Sequence, residues 1–296
     1  MRLPDYGRSP LKLIHERYSC RAFVPEPIGA ERLEALRAFT SGLGPGPRGG
    51  APRFELIAAE SGDPGALKGL GTYGFIRDPG AFLAVAKGRD LDMGDLGFAT
   101  ELVVLKATEL GLGSCWLGGT FNRSRFAAAA ALRPGESLAL AVALGDEAPG
   151  AREGTLRRRI AGGTRKAWAG LFIDLSSGSP IAGADALPAL GIEDAWADAL
   201  EALRLAPSAS NKQPWLLARA AAGWELYLAR SPGYHSPLSR LAGVADMQAN
   251  DMGIAMSHFA LAARERGLEG EWRFPGPSAD RAETALAGAE YVATFS

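Results

Sequence analysis

Arg17-Tyr18-Ser19-Cys20-Arg21 sets two guanidiniums on either side of a hydroxyl. Arginine stays charged and offers several N–H donors in a planar fork, so this spacing suits a phosphate. It also suits a solvated basic helix end, where the macrodipole favours positive charge. A second group, Ala206 to Trp215, packs Ser208, Ser210, Asn211, Lys212 and Gln213 between Pro207 and Pro214. Asn and Gln amides both donate and accept, which lets them read the polar edge of a heterocycle. A helix-to-strand turn would draw on the same residue types. The third group is Gly113-Ser114-Cys115-Trp116-Leu117-Gly118-Gly119. Its glycine pair lets backbone N–H groups approach a flat ligand closely, or simply stops a helix and turns the chain.

Other chemistries find no footing. The sequence has no G-x-S-x-G elbow, no H-x-x-x-H spacing and no P-loop. His15, His235 and His258 are scattered, and His258, inside a long apolar helix, is expected to be a satisfied core group. With only Cys20 and Cys115, neither a disulfide framework nor a cysteine-based zinc site is indicated, and no metal site is expected. Cys115 has no histidine near it in sequence and is expected to be buried packing. Gly44–Gly49 and Gly69–Gly74 both satisfy G-x-G-x-x-G. A dinucleotide fingerprint needs a strand before it and a helix after it. Pro45 and Pro47 break the first match, and the second follows a helix-like segment and precedes Arg77-Asp78-Pro79.

Charge narrows the choice further. Against 33 Asp+Glu stand 32 Lys+Arg, a net charge of −1, which argues against a nucleic-acid binder. The basic run from Arg152 to Lys166 is expected to be a solvated face or a phosphate contact. The 296 residues, 47% hydrophobic and 22% charged, can bury a substantial core. Met1-Arg2-Leu3-Pro4-Asp5 lacks a signal peptide's apolar segment, and no apolar run nears the ~18 residues of a membrane span. A soluble, cytoplasmic protein without membrane or nucleic-acid partners is expected.

The elements that must position these groups recur. Leu33-Glu34-Ala35-Leu36-Arg37 returns as Leu200-Glu201-Ala202-Leu203-Arg204. The segment from Asp95-Leu96-Gly97 to Trp116 matches that from Asp251-Met252-Gly253 to Trp272 at one constant offset. Such ordered self-similarity predicts two related halves meeting near residues 174–190. Helices are expected at 10–18, 29–39, 92–111, 192–205 and 246–267. Strands are expected at 54–59, 81–86, 137–144, 215–220, 224–229 and 289–295. Residues 164–172 and 176–183 are expected to connect the halves. Mixed elements around long buried helices predict an α+β fold.

Taken together, these segments resemble the FMN-dependent nitroreductase family, and within it the subgroup that fuses two family-type halves in one polypeptide. The resemblance implies a nitroreductase-like α+β fold with halves at 1–173 and 174–296, each with a central sheet and a long buried helix, forming an intramolecular pseudo-dimer. It implies that Arg17, Ser19 and Arg21 bind the flavin phosphate and ribityl chain. Pro207, Ser208 and Asn211 would contact the isoalloxazine ring, and Gly118 and Gly119 would bring a backbone donor to flavin N5. Tyr73, within Gly71-Thr72-Tyr73-Gly74, would help line the pocket. A basic segment would complete the phosphate site, with Arg157, Arg159, Arg165 and Lys166 as candidates and Arg165 placed in the cofactor-binding set.

Two departures matter. Where the first half should carry its own Pro-Ser-x-x-Asn loop it has Thr40 to Gly50, and the second half lacks Arg-x-Ser-x-Arg between 174 and 192. One FMN per chain, between the halves, and a monomeric protein are therefore expected. The implied activity passes hydride from NADH or NADPH through the flavin to a small acceptor such as a nitroaromatic, quinone or enone. No catalytic side chain is needed, because the flavin carries the redox chemistry. A vestigial flavin-binding scaffold, or a flavin-fragmenting enzyme of the same superfamily, are the other functions the resemblance allows.

Overall fold

The run Ala81–Ala86 is apolar at every position, so its backbone polar groups can be satisfied only deep in a sheet. In the computed structural model it is buried throughout and bonded to a strand on each side. The structure describes residues 2–58, 67, 70, 72, 74–119, 121–153, 164–232, 245–278 and 286–296. The chain divides into two units, one made of Arg2–Arg8 and Glu16–Gly163, the other of Ser9–His15 and Thr164–Ser296. Residues 164–173 thus cluster with the second unit. So does most of the first helix, α1 (Pro10–Glu16).

In the first unit the strands β1 (Arg53–Ala58), β2 (Ala81–Gly88), β3 (Gly113–Leu117) and β4 (Glu136–Gly145) form an antiparallel sheet in the order β1-β2-β4-β3. Helices α2 (Ala30–Gly42), α3 (Met93–Glu109) and α4 (Arg123–Ala129) accompany it. The Asp92 side chain caps α3 by accepting from Gly94 N and Asp95 N, satisfying two of its unpaired donors. Gly111 at φ 76° turns the chain out of the helix. The core on one sheet face gathers Phe82, Cys115, Leu117 and Phe126, with Phe126 edge-on to both Phe82 and Phe121.

β3 differs from expectation, since the sequence Gly113–Gly119 reads either as a glycine loop facing a flat ligand or as a helix stop and turn. Cys115 and Leu117 alternate into the core while their backbone pairs with Ala143 and Ala141 of β4. Alternate burial outweighs the poor strand propensity of Gly and Ser. The Arg17–Arg21 segment is also extended rather than helical, because α1 stops at Glu16. Ser19 bridges Ser114 in parallel, and Cys20 N donates to Ser114 O at 2.8 Å.

In the second unit the sheet runs β6-β5-β7-β8-β10-β9, from β5 (Phe172–Asp174), β6 (Ser179–Pro180), β7 (Trp215–Ala220), β8 (Gly223–Leu228), β9 (Trp272–Arg273) and β10 (Glu290–Phe295). Its helices are α5 (Trp196–Leu205) and α6 (Met247–Glu265), which pack on each other. β5 lies parallel to β7, so residues expected to be plain connection are sheet, drawn in by buried Phe172 and Ile173. Phe259 of α6 is fully buried among Trp196, Trp224, Trp272 and Phe295.

Each unit repeats one plan. Helix, two strands, long helix and two strands give the sheet order first-second-fourth-third in both, as β1-β2-β4-β3 and as β7-β8-β10-β9. Trp116 and Trp272, matched in sequence, both fall on the third strand. Among the described residues no helix is long and apolar enough to cross a membrane.

Candidate functional site

The first unit presents Arg17 from the extended segment that lies beside β3. Arg17 is buried, with Nε 3.5 Å from Glu101 Oε1 on α3, and the other Glu101 oxygen accepts from Trp116 Nε1 at 2.9 Å. Trp116 is oriented for this by strand alternation, which sends Cys115 and Leu117 to the opposite face. Burial pulls the Arg17 guanidinium below its ordinary pKa, and the Glu101 carboxylate works against that. Among the described residues Arg17 Nε and Nη1 find no hydrogen-bond acceptor.

Arg17 lines a cavity of about 320 Å³ together with Arg8, Tyr18, Thr108, Ser114 and Arg152. Glu16 and Glu147 also reach it. Arg8 is paired with Glu16, and Arg152 lies over the Tyr18 ring at 4.1 Å with its Nη2 donating to Glu16 O at 3.3 Å. Arg17 thus borders this cavity with two shielded donors that make no hydrogen bond among the described residues, and an unmet buried donor costs about 1–3 kcal/mol. A phosphate or carboxylate oxygen would meet it.

Ser19 and Arg21 follow on the same segment, half-buried, with Arg21 Nη1 3.5 Å from Ser19 O. Neither borders the cavity. Gly118 and Gly119 stand just past β3, the second of them exposed. Arg123 braces this turn, donating from Nη2 to Gly118 O at 3.0 Å and from Nη1 to Leu138 O at 2.8 Å. Cys115 is buried, and desolvation pushes its thiol up to about 11, which makes it a poor nucleophile. Tyr73, Arg157 and Arg159 lie outside the described residues.

The second unit gathers Arg165, Pro207, Ser208 and Asn211 around one loop. Between α5 and β7 the chain takes left-handed backbone at Ser210 (φ 50°), Asn211 (φ 55°) and Gln213 (φ 47°). Such conformations in non-glycine residues cost about 1–3 kcal/mol each and persist only when the surroundings enforce them. Here the enforcement is dense. Ser208 Oγ accepts from Gln213 N at 2.8 Å, and Lys166 donates to Gln213 from N at 2.8 Å and from Nζ at 3.0 Å. Asn211 Nδ2 donates to Thr164 O at 3.1 Å, while Asn211 Oδ1 accepts from Arg165 Nη1 and Gln213 Nε2, each at 3.2 Å. Pro207 is buried. Burial and nearby Lys212 hold the Lys166 ammonium below its ordinary pKa.

A residue not anticipated as functional anchors this loop. Asp251, at the beginning of the second turn of α6, is fully buried, and its Oδ2 accepts from Ala209 N at 3.0 Å. Desolvation raises its carboxyl well above the usual range, with the Ala209 N–H opposing. Asp95 does the same in the first unit, accepting from Arg48 N at 2.8 Å and Gly50 N at 2.7 Å. Gly46 and Gly50 allow the close wrap, since a Cβ at either would lie 2.6 or 2.8 Å from an Asp95 oxygen. This explains Gly46 of the Gly44–Gly49 match without any nucleotide. The sequence signal was the shared Asp at the start of both long helices.

His258 is buried, and its Nδ1 donates to Ala202 O at 3.0 Å, a satisfied core group. Among the described residues no three His, Cys, Asp or Glu side chains converge as a metal site.

A family model described as "Putative TM nitroreductase" matches residues 11–168 and 179–263. The crystal structure of a putative nitroreductase from Thermotoga maritima is similar with a TM-score of 0.57 at 18% identity, covering 94% of each chain, and so shares the fold. A nitroreductase family protein from Clostridium difficile has a TM-score of 0.39 at 23% identity over 47% of this chain and 84% of its own. A putative nitroreductase in complex with FMN from Desulfovibrio desulfuricans has a TM-score of 0.39 at 25% identity over 48% of this chain and 88% of its own. No curated protein matches the chain.

Proposed function

The chain belongs to the putative TM nitroreductase family, and from that membership we propose that it is an FMN-dependent oxidoreductase drawing on NADH or NADPH to reduce a small acceptor such as a nitroaromatic, quinone or enone. The observation that carries the reading is Arg17, a buried guanidinium bordering a 320 Å³ cavity, whose Nε and Nη1 make no hydrogen bond among the described residues. A phosphate monoester fits that need, because its oxygens can take both donors and its charge offsets the desolvation of the arginine. Bound FMN would supply the two-electron redox chemistry that no side chain here provides.

The chain's own groups then have separable tasks. Arg17, with Ser19 and Arg21 on the same extended segment, would hold the phosphate and ribityl side. The Gly118–Gly119 turn, fixed by Arg123, would present backbone N–H to the flavin ring. Asn211, on its enforced loop with Pro207 and Ser208, would meet the ring's polar edge. The arginine segment and the amide loop each occur once, so we propose one FMN per chain in a monomeric cytoplasmic protein.

Titration of flavin-stripped protein with FMN is expected to saturate at one equivalent. Arg21→Ala and Asn211→Ala are each expected to weaken binding by roughly tenfold, about the worth of one good polar contact. Anaerobic addition of NADH and NADPH should bleach the bound flavin, and an acceptor panel should restore its colour. Protein that takes up no FMN would overturn the assignment. Bound FMN that neither nicotinamide reduces would point to a scaffold without turnover, and breakdown of FMN on aerobic reduction to the flavin-fragmenting chemistry.

A further inference from the structure

Resting on that reading, we infer that Arg165 positions the ring-side loop through Asn211 and does not bind the flavin phosphate. Its guanidinium reaches both ends of the segment whose shape has to be held. Nη2 donates to Leu205 O at 2.9 Å, the last residue of α5, and Nη1 donates to Asn211 Oδ1 at 3.2 Å and to Thr164 O at 2.9 Å. These acceptors lie before the strained residues and among them. A planar fork can span such a pair of carbonyl oxygens at fixed angles, which a flexible ammonium cannot.

The neighbouring contacts follow one pattern. Lys166 ties down Gln213 through its own N–H and through Nζ, Gln213 Nε2 meets the same Asn211 oxygen, and Asn211 Nδ2 turns to Thr164 O. Arg204 Nη1 adds a bond to Lys166 O at 3.3 Å. Residues 164–166 thus form a brace along the loop. The carbonyl end of the Asn211 amide is set by a cationic donor, and a charge-assisted bond resists rotation of the amide more than a neutral one does. An arginine gripping phosphate would turn its two terminal nitrogens toward the ligand, whereas this one turns Nη1 and Nη2 onto three oxygens of its own chain.

The test compares FMN with riboflavin, which differs from it only in lacking the phosphate. Dissociation constants for both are measured with wild type, Arg165→Ala, Arg165→Lys, Asn211→Ala and the Arg165→Ala/Asn211→Ala pair, after circular dichroism has shown each to be folded. Arg165→Ala is expected to weaken both flavins by about tenfold and to leave their affinity ratio unchanged. On the Asn211→Ala background the further loss should fall below about twofold, because the two side chains act as one. Arg165→Lys should recover little. A ratio that collapses toward one in Arg165→Ala, or losses that multiply in the double variant, would overturn the inference.

Hydrogen exchange of the 206–213 amides gives a readout that needs no flavin. It is expected to quicken by about tenfold in Arg165→Ala, and unchanged exchange would overturn the inference even if the protein bound no flavin. Failure of wild type to bind either flavin would instead overturn the proposed function alone.

Discussion

Arg17→Ala lowers the stability of the folded protein by about 3–5 kcal/mol and removes tight FMN binding: both results are expected from one contact. Arg17 and Glu101 are buried together, and removing the guanidinium takes charge compensation from a carboxylate held away from water. Trp116 Nε1 can hydrogen-bond Glu101 but cannot neutralise it. Urea denaturation followed by far-ultraviolet circular dichroism measures the loss. An Arg17→Met/Glu101→Leu double variant separates the two effects, because apolar replacements of similar volume often restore stability to a buried ion pair. It should regain most of the lost stability yet still bind FMN poorly. A single Arg17→Ala variant within about 1 kcal/mol of wild type would show that the pair is not a buried charge pair in solution.

Asp251 gives the second large effect, through pH. Its carboxyl titrates well above the ordinary aspartate value because burial disfavours the charged form. The folded state therefore holds this proton more tightly than the unfolded chain does. The resulting stabilisation is fully present below the unfolded pKa, near 4, and is lost as pH rises through the higher folded value. Asparagine has the shape of the neutral acid and keeps an oxygen for Ala209 N–H. Asp251→Asn should thus raise stability near pH 7, by about 1.4 kcal/mol for each unit by which burial lifts the pKa, and flatten the pH profile above pH 4. Asp251→Ala discards the acceptor and should release the loop, a cost of about 1–3 kcal/mol for a donor left unmet. Melting temperatures from pH 4 to pH 8 check both, and parallel profiles for wild type and Asp251→Asn would refute the account.

What could be read in advance depended on how local the determining physics was. The long helices Met93–Glu109 and Met247–Glu265 and the strand Ala81–Gly88 were legible because their apolar patterns and end signals lie within the element itself. β3 was not. Its residues Gly113, Ser114 and Cys115 resemble a turn, and it becomes a strand through pairing with residues 141–145 of β4. The loop from Pro207 to Trp215 stands out for its amides, but left-handed backbone at Ser210 and Gln213 has no sequence signature, unlike that at Asn211, whose residue type enters this region more readily. The basic character of Arg165 suggested a phosphate, and what decides its contacts is the distant placement of Leu205 and Asn211. The resemblance of Arg17-x-Ser19-x-Arg21 to a phosphate grip gave no hint of Glu101, which the fold supplies from α3.

The glycine clasp around Asp95 closes a route. Swapping residues 46–50 for a Pro-Ser-x-x-Asn stretch, as an engineer might to give the first unit an amide loop like that of the second, would drive new side chains into a carboxylate already seated against the backbone. Such a graft would have to re-seat the backbone on Asp95, as the second unit's loop seats on Asp251 through Ala209 N, and move Leu91 before side chains at 46 and 50 could be housed. The asymmetry between the two units is therefore reinforced sterically at residues 46 and 50, so an amide loop could enter the first unit only with a new backbone path.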